Sequence, residues 1–492
     1  MAVTTRRATP PPPTAGTAPR RARTAPRPAI DPTGEDPRPA GRAVGVPTPR
    51  DRASPIAVGA ILVLGSLVSL GAAGCGKKSA HRRAGDAAAV EVVTTPALID
   101  GGTRGAASEE VEPNDGDEVA TVLAPGATVH GKIDPEADVD RYRIDVAQAG
   151  VLSVMVDSHA ALDAVLEIAD GSGAVIARSE RGGARVREGV PNLGVAAGRY
   201  TAIVTAKKPP PPPPPKKRGD KARHPAPEPA RPSGGPYEIT ATLVAPAAGF
   251  EHEPDDDRGE ANDLIIGDAG SGYLGWSGDA DVWKISLEAL SAKNALDIEL
   301  SAVDGVAPTL EISDGVGKPI ATRKGTRGAP LVVRGFVPVL PPSAPPFHYL
   351  TVRGDRSNPE TPYQIRATAK LIAPDAEIEP NDTPETAMAM PADRKLLHAQ
   401  WSTGDVDCFA VAPEDTARTL DVSIDMPSEL DLAFDVLIDG KLMSKVDHPG
   451  KGAAEKLVVA VPAGARAVVR VHSEVAGDGA YDLVINEIAA AP

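Results

Sequence analysis

Glu377-Ile378-Glu379-Pro380-Asn381-Asp382, followed by Gly404-Asp405-Val406-Asp407-Cys408-Phe409, is the stretch from which the fold can be read. Pro380 pushes Glu379 into an extended conformation. In an extended segment, residues two apart point the same way. Glu377, Glu379 and Asn381 therefore line one side, with Asp382 at the turn. Asp405 and Asp407 are also two apart, at the mouth of a strand whose apolar part begins at Phe409. The same two motifs occur twice more. Glu110, Glu112, Asn114 and Asp115 precede Asp138 and Asp140, and Glu251, Glu253, Asp255 and Asp256 precede Asp279 and Asp281. Glu112 to Asp140, Glu253 to Asp281 and Glu379 to Asp407 each span the same 28 residues. An identical offset in three places marks an internal repeat.

Outward from the acidic motifs, each repeat reads as strands. Tyr142, Ile144 and Val146 alternate, as do Trp283, Ile285 and Leu287, and Phe409 and Val411, which puts them on one buried face. Arg141, Val282 and Cys408 fall on the opposite face, and Cys408 is expected to be a stray thiol rather than a core or catalytic one. Asp170-Gly171, Asp314-Gly315 and Asp439-Gly440 each end an apolar run, a hairpin signal. Each repeat closes on a Tyr strand, at Tyr237-Glu238-Ile239, Tyr363-Gln364-Ile365 and Tyr481-Asp482-Leu483. Short strands, regular turns and no helical period predict an all-β fold of tandem β-sandwiches, roughly 110–130 residues each.

These motifs together resemble the bacterial pre-peptidase C-terminal (PPC) domain, which is related to the collagen-binding domains of clostridial collagenases. The resemblance covers about residues 109–245, 250–373 and 376–489. It implies three jelly-roll-like β-sandwiches and, from the collagen-binding relatives, calcium held by a similar Glu-x-Glu-x-Asn-Asp segment and nearby acids.

The residues themselves support a cation. If the two motifs meet, five carboxylates and one amide converge in the third repeat. Such a cluster repels itself unless it is protonated or neutralised. Hard oxygens in that number suit Ca²⁺, which takes 6–8 of them. The first repeat matches, and Asp255 in the second replaces Asn but keeps an oxygen ligand. The alternative is that Asn-Asp and Glu-Pro merely make turns and the acids are solvated.

The N-terminus reads as an address. Residues 1–55 are Pro, Ala, Thr and Arg with almost no large apolar residue, a basic leader that cannot build a core and is expected to be disordered. The uncharged run Ile56–Ala73 leads into Ala72-Ala73-Gly74-Cys75. A basic flank, an apolar stretch and small residues describe a secretory signal. The cysteine directly after them makes 56–75 resemble a bacterial lipoprotein signal. In that family the chain is cut before the cysteine, whose thiol carries diacylglycerol and whose new amine is acylated. Ala72 departs from the Leu usual there, and the long leader suggests a start downstream of Met1. The alternative is an uncleaved single-span anchor. Residues 76–108 read as a flexible tether. The lipoprotein resemblance implies that Gly76, which carries no inner-membrane retention signal of the Asp type, favours the outer membrane.

A second distinctive piece is the insertion at 207–236, where Pro209–Pro215 sits between Lys207-Lys208 and Lys216-Lys217-Arg218. It reads as a stiff basic rod of polyproline II type. Its role is either an arm for an anionic polymer or lipid, or a tolerated insertion at a hairpin tip.

Composition bounds the rest. Of 492 residues, 48 are Gly and 51 Pro, and aromatics are 3%. The net charge of -15 excludes a nucleic-acid binder over the bulk of the chain. Cys75 and Cys408 are the whole cysteine complement, so disulfide scaffolds, zinc ribbons and iron–sulfur centres are excluded. No catalytic motif is present. His252-Glu253 begins like a zinc-protease helix, but Asp256 stands where the second His belongs and Pro254 breaks a helix. The sequence thus points to a non-enzymatic, lipid-anchored envelope protein whose repeats bind an extracellular or periplasmic polymer or protein. A structural spacer and a hydrolase with an unrecognised site are the alternatives.

Overall fold

The computed structural model describes residues 108–159, 162–207, 234–338, 345–391 and 395–488. The leader, the signal segment with Cys75, the tether and most of the Pro-rich insertion lie outside the described residues. Within them every regular element is a strand, and there is no helix.

The strands form six sheets. In the first sandwich one sheet runs β1 (Ser108–Glu109), β3 (Thr128–Ile133), β10 (Gly235–Val244), β5 (Gly150–Ser158), β8 (Glu188–Val195). The facing sheet runs β2 (Thr121–Val122), β4 (Val139–Val146), β9 (Gly198–Ala206), β6 (Ala164–Ala169), β7 (Val175–Ser179). The second sandwich pairs β12 (Ala269–Leu274), β19 (Asn358–Leu371), β14 (Asn294–Leu300), β17 (Leu331–Phe336) with β11 (Asn262–Asp263), β13 (Ala280–Ser286), β18 (Phe347–Gly354), β15 (Pro308–Ser313), β16 (Pro319–Lys324). The third pairs β21 (Leu396–Ser402), β28 (Asp478–Ile488), β23 (Arg418–Asp425), β26 (Glu455–Val461) with β20 (Met388–Ala389), β22 (Asp407–Val411), β27 (Ala467–His472), β24 (Ala433–Ile438), β25 (Lys441–Val446).

Alternation decides what each pair of sheets encloses. Along β5, Leu152, Val154 and Val156 are buried while Val151, Ser153 and Met155 are only partly so. Each sandwich has its own core drawn from both of its sheets, with Tyr142, Val154 and Ile239 in the first, Trp283, Ile298 and Ile365 in the second, and Phe409, Val422 and Leu483 in the third. The few aromatics are concentrated there: Trp283, Trp401, Tyr142, Tyr237, Tyr363, Tyr481, Phe336, Phe409 and Phe434 are all fully buried. The Asp-Gly hairpins form as β6–β7, β15–β16 and β24–β25. The third is the tightest, with Asp439 and Gly440 both at positive φ (49° and 74°), the backbone of a type I′ turn. The Pro-rich insertion falls between β9 and β10, where the other sandwiches connect by short turns.

Cys408 corrects its expectation. It is fully buried, in a satellite cluster with Ala410, Leu437 and Val468 against which Ala387 and Val406 pack. The outer face of β22 is covered by the chain leading into β20, so alternation did not put Cys408 in solvent. Burial pushes its thiol up to about 12, which makes it inert as a nucleophile.

Successive sandwiches are joined by backbone pairing. Gly194 donates to the Glu253 carbonyl (2.7 Å) and Glu253 to that of Asn192 (2.9 Å). Val337 donates to the Glu379 carbonyl (2.8 Å) and Glu379 to that of Gly335 (2.9 Å). The edge strand of one sandwich thus runs onto the acidic segment of the next.

Candidate metal centres

In all three sandwiches one backbone bond brings the two acidic motifs together. The carbonyl of the third motif residue accepts from the N–H of the residue after the second Asp: Arg141 to Asn114 (3.2 Å), Val282 to Asp255 (3.2 Å) and Cys408 to Asn381 (3.0 Å). The Glu-Pro bonds, Glu112-Pro113, Glu253-Pro254 and Glu379-Pro380, are all cis. The motif Glu folds back onto its own turn, accepting from Asn114 N–H (2.9 Å), Asp255 N–H (2.7 Å) or Asn381 N–H (2.6 Å). The preceding acid takes a backbone N–H from the neighbouring strand: Lys132 to Glu110 (2.7 Å), Tyr273 to Glu251 (3.4 Å) and Gln400 to Glu377 (2.8 Å).

The result is an acidic pocket built three times. Carboxylate oxygens lie within 4.8 Å of one another in Glu110, Glu112 and Asp140, in Glu251, Glu253, Asp255 and Asp281, and in Glu377, Glu379 and Asp407. Glu379, Asp382 and Asp405 make a second such group in the third sandwich. Not every expected residue joins. Asp138 caps its own turn, accepting from Asp134 N–H (2.8 Å) and Val139 N–H (3.1 Å). Asp256 accepts from Ala280 N–H (3.1 Å). Asp115 is exposed and contributes its carbonyl to Arg141 (2.9 Å). Asp279 is buried beside the second group, its Oδ2 taking Gly275 N–H at 2.5 Å.

The pockets differ in burial. Glu112 is exposed in the first, whereas Glu251, Glu253, Asp255, Asp279 and Asp281 are all buried in the second, and Glu377, Glu379, Asp405 and Asp407 in the third. Burial and mutual repulsion govern their protonation. Burial, and then the surrounding carboxylates, push Asp140 up to about 8, Asp255 to about 10 and Asp279 to about 11, and hold Glu251 and Asp281 well above the usual range. In the third pocket burial lifts Glu377 to about 7 and raises Glu379 and Asp407 well above normal.

Orphaned acceptors test the pockets against a cation. Buried oxygens without a hydrogen-bond partner are Asn114 Oδ1 and Asp140 Oδ1 in the first, Glu253 Oε1, Asp255 Oδ1, Asp279 Oδ1 and both oxygens of Asp281 in the second, and Asn381 Oδ1 and Asp407 Oδ1 in the third. Buried acceptors are ordinarily satisfied. Carboxylate and amide oxygens converging from two loops fit a hard divalent ion such as calcium.

Sequence reasoning missed several members. The closing tyrosines reach the pockets: Tyr237 Oη donates to Asp140, Tyr363 Oη to Glu251 (2.9 Å) and Tyr481 Oη to Asp407 (2.5 Å). Tyr142 Oη donates to Glu110 (2.8 Å), and Trp283 Nε1 donates to Tyr363 Oη (2.8 Å). Gly272 is required by close approach, since a Cβ there would lie 1.6 Å from Glu251 Oε2. The recurrence of one Tyr per repeat, in a chain with only 7, was the available signal.

No family model and no curated protein matches the chain. Solved structures to which the chain shows some likeness include the pre-peptidase C-terminal domain of collagenase from Bacillus anthracis, 15% identical over 27% of this chain and 100% of that one, TM-score 0.18. The N-terminal CBM22-1–CBM22-2 tandem domain of Xyn10C from Paenibacillus barcinonensis is 13% identical over 42% of this chain and 82% of that one, TM-score 0.15. A cycloisomaltooligosaccharide glucanotransferase from Paenibacillus sp. is 14% identical over 19% of this chain and 17% of that one, TM-score 0.13.

Proposed function

We propose that the chain is an array of three calcium-stabilised β-sandwiches, held at the cell envelope by acylated Cys75, that binds an envelope or extracellular polymer or protein. The observation that carries the ion is the set of unpartnered buried oxygens repeated in all three pockets. Repulsion among these carboxylates destabilises the ion-free pockets, and a divalent ion removes it. In this reading the Pro-rich insertion at 207–236 is a tolerated insertion at a hairpin tip, and the outer membrane is the site of anchorage.

The ligand side is tested by sedimentation. Full-length protein is mixed with insoluble peptidoglycan sacculi or with fibrillar collagen, in calcium or in EGTA. The expected result is co-sedimentation with one of them in calcium and its loss in EGTA. Protein that stays in solution with both, while still taking up calcium, points to the spacer and contradicts a binding role.

A further inference from the structure

The two buried pockets sit at junctions, and the sandwich in front closes each one. At the second junction it also supplies a charge. Arg323 of β16, only 3% exposed, reaches out of the second sandwich into the third. Its Nη2 lies 2.7 Å from Glu379 and 2.8 Å from Asp405, and its Nη1 lies 2.5 Å from Asp382. Burial opposes its charge, but those carboxylates hold it firmly cationic. The guanidinium thus fills the half of the pocket formed by Glu379, Asp382 and Asp405.

The first junction has the same backbone pairing and different side chains. Arg323 pairs with Leu310, and the matching position, opposite Leu166, is Ser179. That hydroxyl is taken up by Glu188 (2.6 Å) and does not reach the pocket. The corresponding acids are Glu253, Asp256 and Asp279, and Glu253 Oε1 and Asp279 Oδ1 are buried without partners. Burial raises Glu253 and Asp279, and the charges acting on these two are those of other carboxylates. The lid here is Asn192, 4% exposed, whose Nδ2 donates to Glu251 and whose Oδ1 has no partner. A half-turn of that amide exchanges donor for acceptor and would present an oxygen ligand from the first sandwich.

We propose that both junctions are locked by positive charge buried in the acidic pocket, supplied at the second by Arg323 and at the first by a divalent cation taken up beneath Asn192. The first junction is then responsive to the cation and the second is permanently closed. This rests on the cation reading of the pockets for the first junction, whereas the Arg323 lock does not need it.

The four inter-sandwich backbone bonds are direct reporters. Hydrogen exchange is followed by mass spectrometry on the full chain, in calcium and in EGTA, with β5 and β23 as controls for folding and calorimetry as the measure of calcium uptake. In the wild type, calcium is expected to slow exchange at Gly194 and Glu253 about tenfold and to leave Val337 and Glu379 unchanged. In Arg323→Gln, exchange at Val337 and Glu379 should rise about tenfold in EGTA and fall again in calcium, which occupies the vacated half. Arg323→Lys keeps the charge and should stay protected without calcium, which decides the matter if the Gln variant loses the β23 control. Equal protection of Val337 and Glu379 in Arg323→Gln and wild type overturns the lock. Calcium uptake without slower exchange at Gly194 and Glu253 overturns the first-junction claim and leaves the ion reading standing. No uptake at all overturns both.

Discussion

Asp281 illustrates what the buried carboxylates do to stability. It is fully buried, neither oxygen has a hydrogen-bond partner, and its neighbours Asp255 and Asp279 titrate near 10 and 11 against an ordinary 3.8. The folded, ion-free state therefore holds protons that the unfolded chain releases above about pH 4. Stability from this source is full below pH 3.8 and is lost as pH rises toward 10–11. In EGTA the melting temperature of the second sandwich should fall as pH is raised from 6 to 9, and in calcium the fall should largely disappear. A melting temperature that rises with pH in EGTA contradicts this protonation scheme. The acids were legible because their spacing repeats. Asn192 and Arg323 were not, because each acts on the following sandwich and neither recurs in the other junction.

At the scale of elements, the alternating strands and Asp-Gly turns were readable because a half-buried strand writes its two faces into the sequence. Cys408 escaped because a face that alternation assigns to solvent is covered by chain distant from it in the strand. The tyrosine hydroxyls escaped because a closing strand buried at one face looks the same whether its Tyr fills a core or ends in a pocket. The insertion between β9 and β10 bears on stability in a simple way. Replacing residues 208–233 by a turn as short as that between β18 and β19 shortens a closed loop several-fold, and each halving returns about 0.6 kcal/mol of closure entropy. The variant should be more stable than wild type by about 2 kcal/mol in urea unfolding of the first sandwich. A loss of stability would mean that the insertion packs on the fold.

For the whole molecule, the class of fold followed from the repeated pattern of short strands, whereas the gradient of pocket burial depends on which sandwich precedes which. The first pocket has no sandwich in front of it among the described residues, and it is the one with an exposed Glu112. Anchorage is a separate matter of sequence. Metabolic labelling with a palmitate analogue should mark the wild type and not Cys75→Ser, and equal labelling of both would remove the lipoprotein reading.

Uptake of calcium by the acidic pockets decides whether they are metal centres. It is tested most directly by isothermal titration of the full chain with calcium near neutral pH, in two buffers of different ionisation enthalpy, beside the variant with Asp140, Asp281 and Asp407 all changed to Asn. Wild type is expected to bind calcium and to release protons, since the pockets hold raised carboxyl groups. At a hundredfold excess over Kd the ion should stabilise the fold by about 2.7 kcal/mol for each site. The variant should bind little or none. Absence of binding by the wild type, or equal binding by the two proteins with no proton released, would contradict the account.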